Sequence, residues 1–342
     1  MHRKDLVTIT DALHRPLRDL RISVTDRCNF RCPYCMPAEI FGDKYTFLPK
    51  SDLLTFEEIT RLTRVLMRLG VRKVRLTGGE PLVRQEIEHL VSQLAALDGV
   101  EDLAMTTNGY LLPKKAHMLK EAGLRRITIS LDSMDDAVFR RMNGGRAGVQ
   151  DVLAGIAAAE RAGLTPIKIN AVVQRGVNDH TVVDLARYCK EHGYIVRFIE
   201  YMDVGTLNGW RLDDVVPADE IVGRIHAEMP LEPIPGNYRG EVATRFRYQD
   251  GSGEIGVIAS VTKPFCGDCT RLRLSPEGEI YTCLFAVKGT DLRGPLRAGA
   301  TDDAIEQLVR GVWGKRTDRY SEIRTSLTDQ NRERRDKVQM FH

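Results

Sequence analysis

The residue pattern predicts an α/β chain, an incomplete (β/α)6 TIM-like barrel over residues 1–229, followed by a smaller α+β domain over 230–342. Three observations predict it. Apolar strand-like runs at 20–25, 71–77, 101–106, 125–131, 165–173 and 195–201 alternate with amphipathic helical runs, which demands a parallel sheet with right-handed crossovers. Six strands are two short of a closed eight-stranded barrel. After residue 230 the alternation stops, and short strands with turn signals replace it. A flat doubly wound sheet is the alternative, but no G-x-G-x-x-G follows any strand.

Taken in order, residues 5–19 read as an extended lead-in to the first strand, and residues 39–54 as irregular. Thr55-Phe56-Glu57-Glu58 is a capping box, with Thr at the N-cap and Glu three residues on. The helix it opens puts Ile59, Leu62, Val65, Leu66 and Leu69 on one face and ends at Gly70. Further helices are expected near 84–97, 113–122, 148–161, 180–192 and 217–228. Pro230, Pro233, Pro235 and Gly236 read as a linker. Strands near 241–248 and 254–261 follow, joined by the hairpin signal Asp250-Gly251-Ser252-Gly253, and then a helix near 302–313 and a charged tail at 332–337.

Composition narrows the function classes. The 342 residues are 42% hydrophobic and 28% charged, ordinary for a globular protein. With 50 basic against 47 acidic residues, wholesale coating of nucleic acid is not expected, and an anionic ligand must be met by local Arg and Lys. No apolar run is long enough for a signal peptide or a membrane span, so a cytoplasmic protein is expected. The seven Cys fall as 28, 32, 35, then 189, then 266, 269, 283. An odd count in triplets argues for metal ligation in a reducing compartment, not for disulfides. Cys189 shares a helix face with Val182, Leu185 and Ala186 and reads as a core thiol.

The chemistry concentrates where strands end. Cys28, Cys32 and Cys35 stand at C-x3-C-x2-C spacing on the loop after the first strand, close enough to wrap one metal centre. Thiolates favour zinc or an iron-sulfur cluster. A 4Fe-4S cubane takes four Cys, so three leave one iron open; structural zinc with a remote fourth ligand is the alternative. The second strand ends in Thr77-Gly78-Gly79-Glu80-Pro81, whose glycines permit close backbone approach and whose Glu80 could accept from an ammonium. Lys168 and Arg197 lie in apolar runs, where a cation must meet an anion or an internal partner such as Glu200 or Asp132. Cys266, Cys269 and Cys283 form a second triplet with no His between 226 and 342 to complete a zinc site. Arg271 and Arg273 alternate just after it, so both point to one side, which suits a phosphate chain; a solvated basic face is the alternative.

These motifs carry a resemblance. C-x3-C-x2-C with Tyr34 before its last Cys, together with Gly-Gly-Glu-Pro at the next strand end, resembles the radical S-adenosylmethionine (SAM) superfamily. Arg21 to Cys28, the K-x-R-x-T-G-G-E-P run, Arg197 to Gly205 and the C-x2-C-T-R-x-R stretch with its later Cys are similar to the GTP 3′,8-cyclase family of molybdenum cofactor biosynthesis. That resemblance spans about residues 10 to 335.

It implies two 4Fe-4S clusters, on Cys28, Cys32 and Cys35 and on Cys266, Cys269 and Cys283. It implies SAM contacts around Tyr34, Gly79, Ser130 and Met202, and GTP contacts from Arg21, Arg75, Thr106, Lys168, Arg271, Leu272 and Arg273. Arg21, Arg271 and Arg273 are implied to be catalytic, with up to seven cations holding the triphosphate. The implied reaction removes the ribose 3′ hydrogen with a 5′-deoxyadenosyl radical and closes C3′ onto guanine C8, one electron completing the dihydro ring. The implied partners are an electron donor, a downstream cyclic pyranopterin monophosphate synthase and a second copy in a homodimer.

The two triplets are expected to face each other across the barrel mouth. Family members typically end in Gly-Gly, whereas this sequence ends Gln339-Met340-Phe341-His342, so weak turnover is expected. A radical SAM peptide modifier, or an iron-sulfur sensor of nucleic acid, are the competing readings.

Overall fold

The structure is a computed structural model that describes residues 8–204, 209–238 and 240–324. The charged tail, the chain's last residues, Gly205 and the first residues lie outside the described residues. The core is a run of parallel strands: β1 (Asp19–Ser23), β2 (Lys73–Thr77), β3 (Asp102–Thr107), β4 (Arg126–Ser130), β5 (Ile167–Val173) and β6 (Ile195–Glu200) pair in sequence order. The helices between them are α1 (Phe56–Arg68), α2 (Ile87–Ala95), α3 (Leu112–Glu121), α4 (Asp136–Asn143), α5 (Val149–Arg161) and α6 (Val182–Glu191), with α7 (Ala218–Glu228) after β6. Leu20, Ile22, Val74, Leu76, Leu103, Met105, Ile127 and Ile129 face those helices in one continuous buried cluster. The capping box at Thr55 and Glu58 is formed.

Helix α4 is absent from the sequence reading, although Asp135 caps it and Gly144 ends it in the left-handed conformation. Two other differences concern the second half. The proline-rich stretch is not a linker: Leu231–Ile234 forms β7, paired with β8 (Thr244–Tyr248), which pairs with β9 (Glu254–Ile258). Prolines are tolerated there because β7 is the last strand of the sheet and one side needs no donors.

The C-terminal segment also does not build a separate sheet. β9 adds parallel to β6, while β10 (Arg271–Leu274) adds parallel to β1 and is followed outward by β11 (Glu279–Tyr281) and β12 (Thr290–Asp291). One twelve-stranded sheet results, in the order β12-β11-β10-β1-β2-β3-β4-β5-β6-β9-β8-β7. Its eight central strands are parallel, and side chains from β1, β2, β3, β5, β6, β9 and β10 line one cavity, so the sheet curls into a partial barrel. The last helices are α8 (Arg293–Arg297), α9 (Asp302–Gly314) and α10 (Tyr320–Ile323), of which α9 packs on α1 through Arg61–Asp302 and Arg68–Asp303 ion pairs. Among the described residues no helix is long and apolar enough to cross a membrane.

Candidate active site

The Cys28 loop is shaped by its neighbours before any ligand is considered. Gly79 N donates to Thr25 O at 2.8 Å and Glu80 N to Arg27 O at 2.8 Å, stitching the Gly-Gly-Glu turn to the loop. A Cβ on Gly79 would lie 2.2 Å from Arg27 O. The glycine is therefore required by loop packing itself. Arg31 donates to the carbonyls of Cys28, Phe30 and Phe41 at 2.7 Å each, and Arg31 N to Asn143 O at the end of α4. A Cβ on Gly144 would meet Arg31 O at 2.4 Å, so α4 abuts the loop as closely as backbone allows.

Cys28, Cys32 and Cys35 open into a cavity at the carboxyl ends of the strands, lined also by Tyr34, Gly79, Ser130, Asn143 and Met202. Burial pushes the Cys28 and Cys35 thiols up to about 12 and the Cys32 thiol well above its ordinary value; Glu80 adds to the rise at Cys28, Cys28 to that at Cys35, and Cys35 and Cys28 to that at Cys32. Three crowded thiols that cannot ionise unaided fit a cationic metal centre, which takes them as thiolates.

Glu80 is 1% exposed and is not open to an ammonium. It accepts from Thr107 Oγ1 and Asn108 N at 2.7 Å and from Leu82 N at 3.0 Å, joining the floor of the cavity to β3. Asp132 accepts from Tyr34 Oη and from Val172 N, each at 2.9 Å, and so fixes the Tyr34 ring.

The second triplet lies at the other end of the strands. Cys269 precedes β10, whose amino end pairs with that of β1: Asp19 N donates to Thr270 O at 3.1 Å. β11 runs back antiparallel and returns Cys283 to the same level. The expectation of two triplets facing each other across the mouth is thus corrected. They sit at opposite ends of the barrel interior, because β10 enters the sheet parallel to β1 with its triplet in front of it, whereas the first triplet follows β1.

Cys266, Cys269 and Cys283 line a cavity with Arg21, Arg75, Arg197, Arg271 and Arg273, and with Lys73, Arg126 and Arg316 besides. This cavity and the first share Thr106, Asn170, Ile199 and Met202 as walls. The interior is continuous in that sense.

Strand register explains the charge. Arg21 pairs with Arg273 on one side and Arg75 on the other, placing three guanidinium groups in one row. Burial, then Arg271, Arg273 and Arg75, hold the Arg21 pKa well below its ordinary value. Arg273 is 2% exposed and its Nε has no hydrogen-bond partner among the described residues. Such a row is costly alone and fits a polyanion.

Arg271 Nη2 donates to Cys269 Sγ at 3.2 Å. Burial opposes ionisation of Cys269, yet Arg271, Arg316 and Arg273 hold its thiol down at about 5. Thiolate among guanidinium groups is the donor set that an anionic iron-sulfur centre fits.

Arg197 and Lys168 have neither Glu200 nor Asp132 as partner. Arg197 donates to Asn170 Oδ1 at 2.9 Å and to Thr128 Oγ1 at 3.3 Å, and it has its space because a Cβ on Gly256 would lie 3.2 Å from its Cγ. Lys168 is not in the cavity wall, although Arg197 and Arg126 stand close enough to act on its charge. The side chain of Leu272, expected among the nucleotide contacts, is fully buried in the core, since alternate residues of β10 face opposite sides and Arg271 and Arg273 take the cavity side, so only its backbone is offered to a nucleotide.

Sequence reasoning missed Arg126 and Tyr238. Arg126 sits in Ile-rich β4, the same signal that singled out Lys168; Tyr238, whose ring lies 3.0 Å under Lys73 Nζ, gave no local signal.

A parallel partial barrel with a three-thiol loop and a Gly-Gly-Glu turn in one cavity defines a radical SAM protein, and the Radical SAM superfamily model matches residues 22–189. The Molybdenum Cofactor Synthesis C model matches residues 194–322. The chain belongs to the GTP 3′,8-cyclase family within that superfamily. It is 58% identical to the GTP 3′,8-cyclase of Acidothermus cellulolyticus over 95% of this chain and 91% of that one. Identity is 50% to that of Xanthomonas campestris, over 97% and 96%, and 48% to that of Staphylococcus epidermidis, over 97% of each. The fold is similar to that of Streptococcus suis SuiB bound to precursor peptide SuiA, with a TM-score of 0.59 at 16% identity, over 92% of this chain and 67% of that one.

Proposed function

We propose that the chain converts GTP to 3′,8-cyclo-7,8-dihydro-GTP by radical SAM chemistry, with one 4Fe-4S cluster on each thiol triplet. The observation that carries this is the pair of triplets at two ends of one barrel interior, with four residues common to both cavities. When bound, the clusters supply the electron that cleaves SAM and an open iron for the guanine. The protein's work is placement.

Tyr34, Gly79, Ser130 and Met202 hold SAM beside the Cys28 loop, and Arg21, Arg75, Thr106, Arg271 and Arg273 hold GTP. The residues common to both cavities, Thr106, Asn170, Ile199 and Met202, would stand where the two bound molecules meet. With SAM bound there, its adenosyl carbon would take up the ribose 3′ hydrogen, after which C3′ would bond to C8 and one electron and one proton would complete the ring. An external electron donor is required, and a cyclic pyranopterin monophosphate synthase consumes the product.

Anaerobic reconstitution tests the reading. About eight irons per chain are expected, with 5′-deoxyadenosine and the cyclised nucleotide formed from SAM and GTP. About four irons, or 5′-deoxyadenosine formed with a peptide and not with GTP, would overturn it.

Lys168 gives a pH test of its own role. Burial, then Arg197 and Arg126, pull its pKa down to about 8. Its cation is therefore present below pH 8 and lost as pH rises through that value, and a bound triphosphate draws a proton back onto it. GTP affinity should fall from pH 7 to 9 in the wild type, and less steeply in Lys168→Met, by calorimetric titration. Equal slopes would remove Lys168 from the nucleotide site.

A further inference from the structure

The residues that grip the second triplet come from the two ends of the described chain. Asp11 and Arg15 stand on the lead-in before β1, Arg316 stands after α9, and all three are at most 4% exposed. Asp11 Oδ2 accepts from Arg15 Nε at 2.6 Å and from Arg316 Nη1 at 3.1 Å. Arg15 Nη1 donates to Cys266 O at 2.8 Å and to Asp318 O at 2.8 Å. Arg316 Nη1 donates to Cys269 O at 2.8 Å, and its Nε donates to Thr282 O, one residue before Cys283, at 3.1 Å.

Each of the three thiol positions is thus held through its own carbonyl or its chain neighbour's. Trp313 fixes both arginines: its indole lies 4.6 Å from the Arg316 guanidinium, and its Nε1 donates to Arg15 O at 3.3 Å.

Burying two guanidinium groups on one carboxylate is a poor way to stabilise a fold, because desolvation offsets the attraction. Asp318 adds a second acid 3.4 Å from Arg316, but its side chain is partly exposed. Arg15 Nη2 is also buried with no acceptor among the described residues, a donor left for an anionic group.

We propose that Asp11, Arg15 and Arg316 are positioning residues for the second cluster. They set the backbone at Cys266, Cys269 and Cys283 so that three thiols converge, and their positive charge retains the anionic centre. The inference rests on the reading of these thiols as cluster ligands. None of the three residues is required to touch GTP or SAM.

The test uses the full chain, anaerobically reconstituted, as wild type, Arg316→Lys and Asp11→Asn. Lysine cannot reproduce a fork to two carbonyls and a carboxylate, and Asn keeps the size of Asp11 without its charge. Iron and sulfide per chain after gel filtration, and the EPR spectrum of the reduced protein, report both clusters. Formation of 5′-deoxyadenosine from SAM without GTP reports the first alone.

Wild type with about eight irons and both variants with about four, their SAM cleavage unchanged, is the expected result. Variants that keep the wild-type iron content and EPR spectrum overturn the inference. So does loss of both clusters and of the near-UV CD in both variants, since the network would then support the chain as a whole. A wild type with only about four irons instead defeats the two-cluster reading, and the inference falls with it.

Discussion

Arg21→Met should weaken GTP binding roughly 10- to 100-fold while leaving the melting temperature unchanged or raised. The two effects differ in sign because burial and the neighbouring guanidinium groups oppose the Arg21 charge, whereas a polyanion is drawn to it. Arg21 stands between Arg273 and Arg75 in strand register, and its charge is opposed by burial and by three neighbouring guanidinium groups. Removing the middle cation relieves two lateral repulsions, and methionine refills most of the volume, which offsets the contacts that Arg21 itself makes. A triphosphate in the same place loses a charge-assisted donor at about 1.5–3 kcal/mol. SAM affinity is the internal control, because Arg21 lines the second cavity and not the first. Calorimetric titration of GTP with thermal denaturation of the same samples decides the matter. A melting temperature several degrees lower with unchanged GTP affinity would mean that the row is structural, and the nucleotide would have to be placed elsewhere.

That row shows what could and could not be read beforehand. Arg21, Arg75, Arg271 and Arg273 were each legible as cations in or beside strand-like runs, since an alternating pattern states which residues share a face. The pairing of β10 with β1 was not legible, because nothing local to residues 271–274 refers to residues 19–22. For the same reason the second triplet was expected on the wrong end of the strands, and nothing in the reading of a smaller C-terminal α+β domain said that its strands would supply both outer flanks of one sheet.

Local chemistry fared better. The capping box of α1, the Cys loop and the Gly-Gly turn are determined within a few residues of chain, and each is found where the spacing put it. Helix α4 was within reach too: Asp135 and the Gly144-Gly145 pair are ordinary start and stop signals around a short apolar face. Lys168 and Arg197 were recognised as anomalous, but their offered partners Glu200 and Asp132 were already committed to backbone N–H groups, which no spacing rule reveals.

Glu200 carries the other large effect, and here the consequence is for the fold first. Its carboxylate is fully buried at the end of β6. It accepts from Ala218 N and Val261 N at 2.8 Å, from Thr262 N at 2.9 Å, and from the Thr262 hydroxyl. One side chain therefore ties the start of α7 and the segment after β9 to the strand that leads into Tyr201 and Met202. Glu200→Ala leaves those N–H donors buried and unpaired, and each orphaned group costs about 1–3 kcal/mol. A loss of about 4 kcal/mol is expected, and the melting temperature should fall by on the order of 10 °C. Glu200→Gln should fall between the variant and the wild type, since its amide oxygen still accepts while its NH2 confronts a donor. Because Met202 lines both cavities, the surviving folded fraction should bind SAM and GTP together less well, whereas Arg21→Met affects GTP alone. If Glu200→Ala melts within about 2 °C of the wild type, water or a rearranged backbone replaces the carboxylate, and β6 and β9 are joined by their ladder without it.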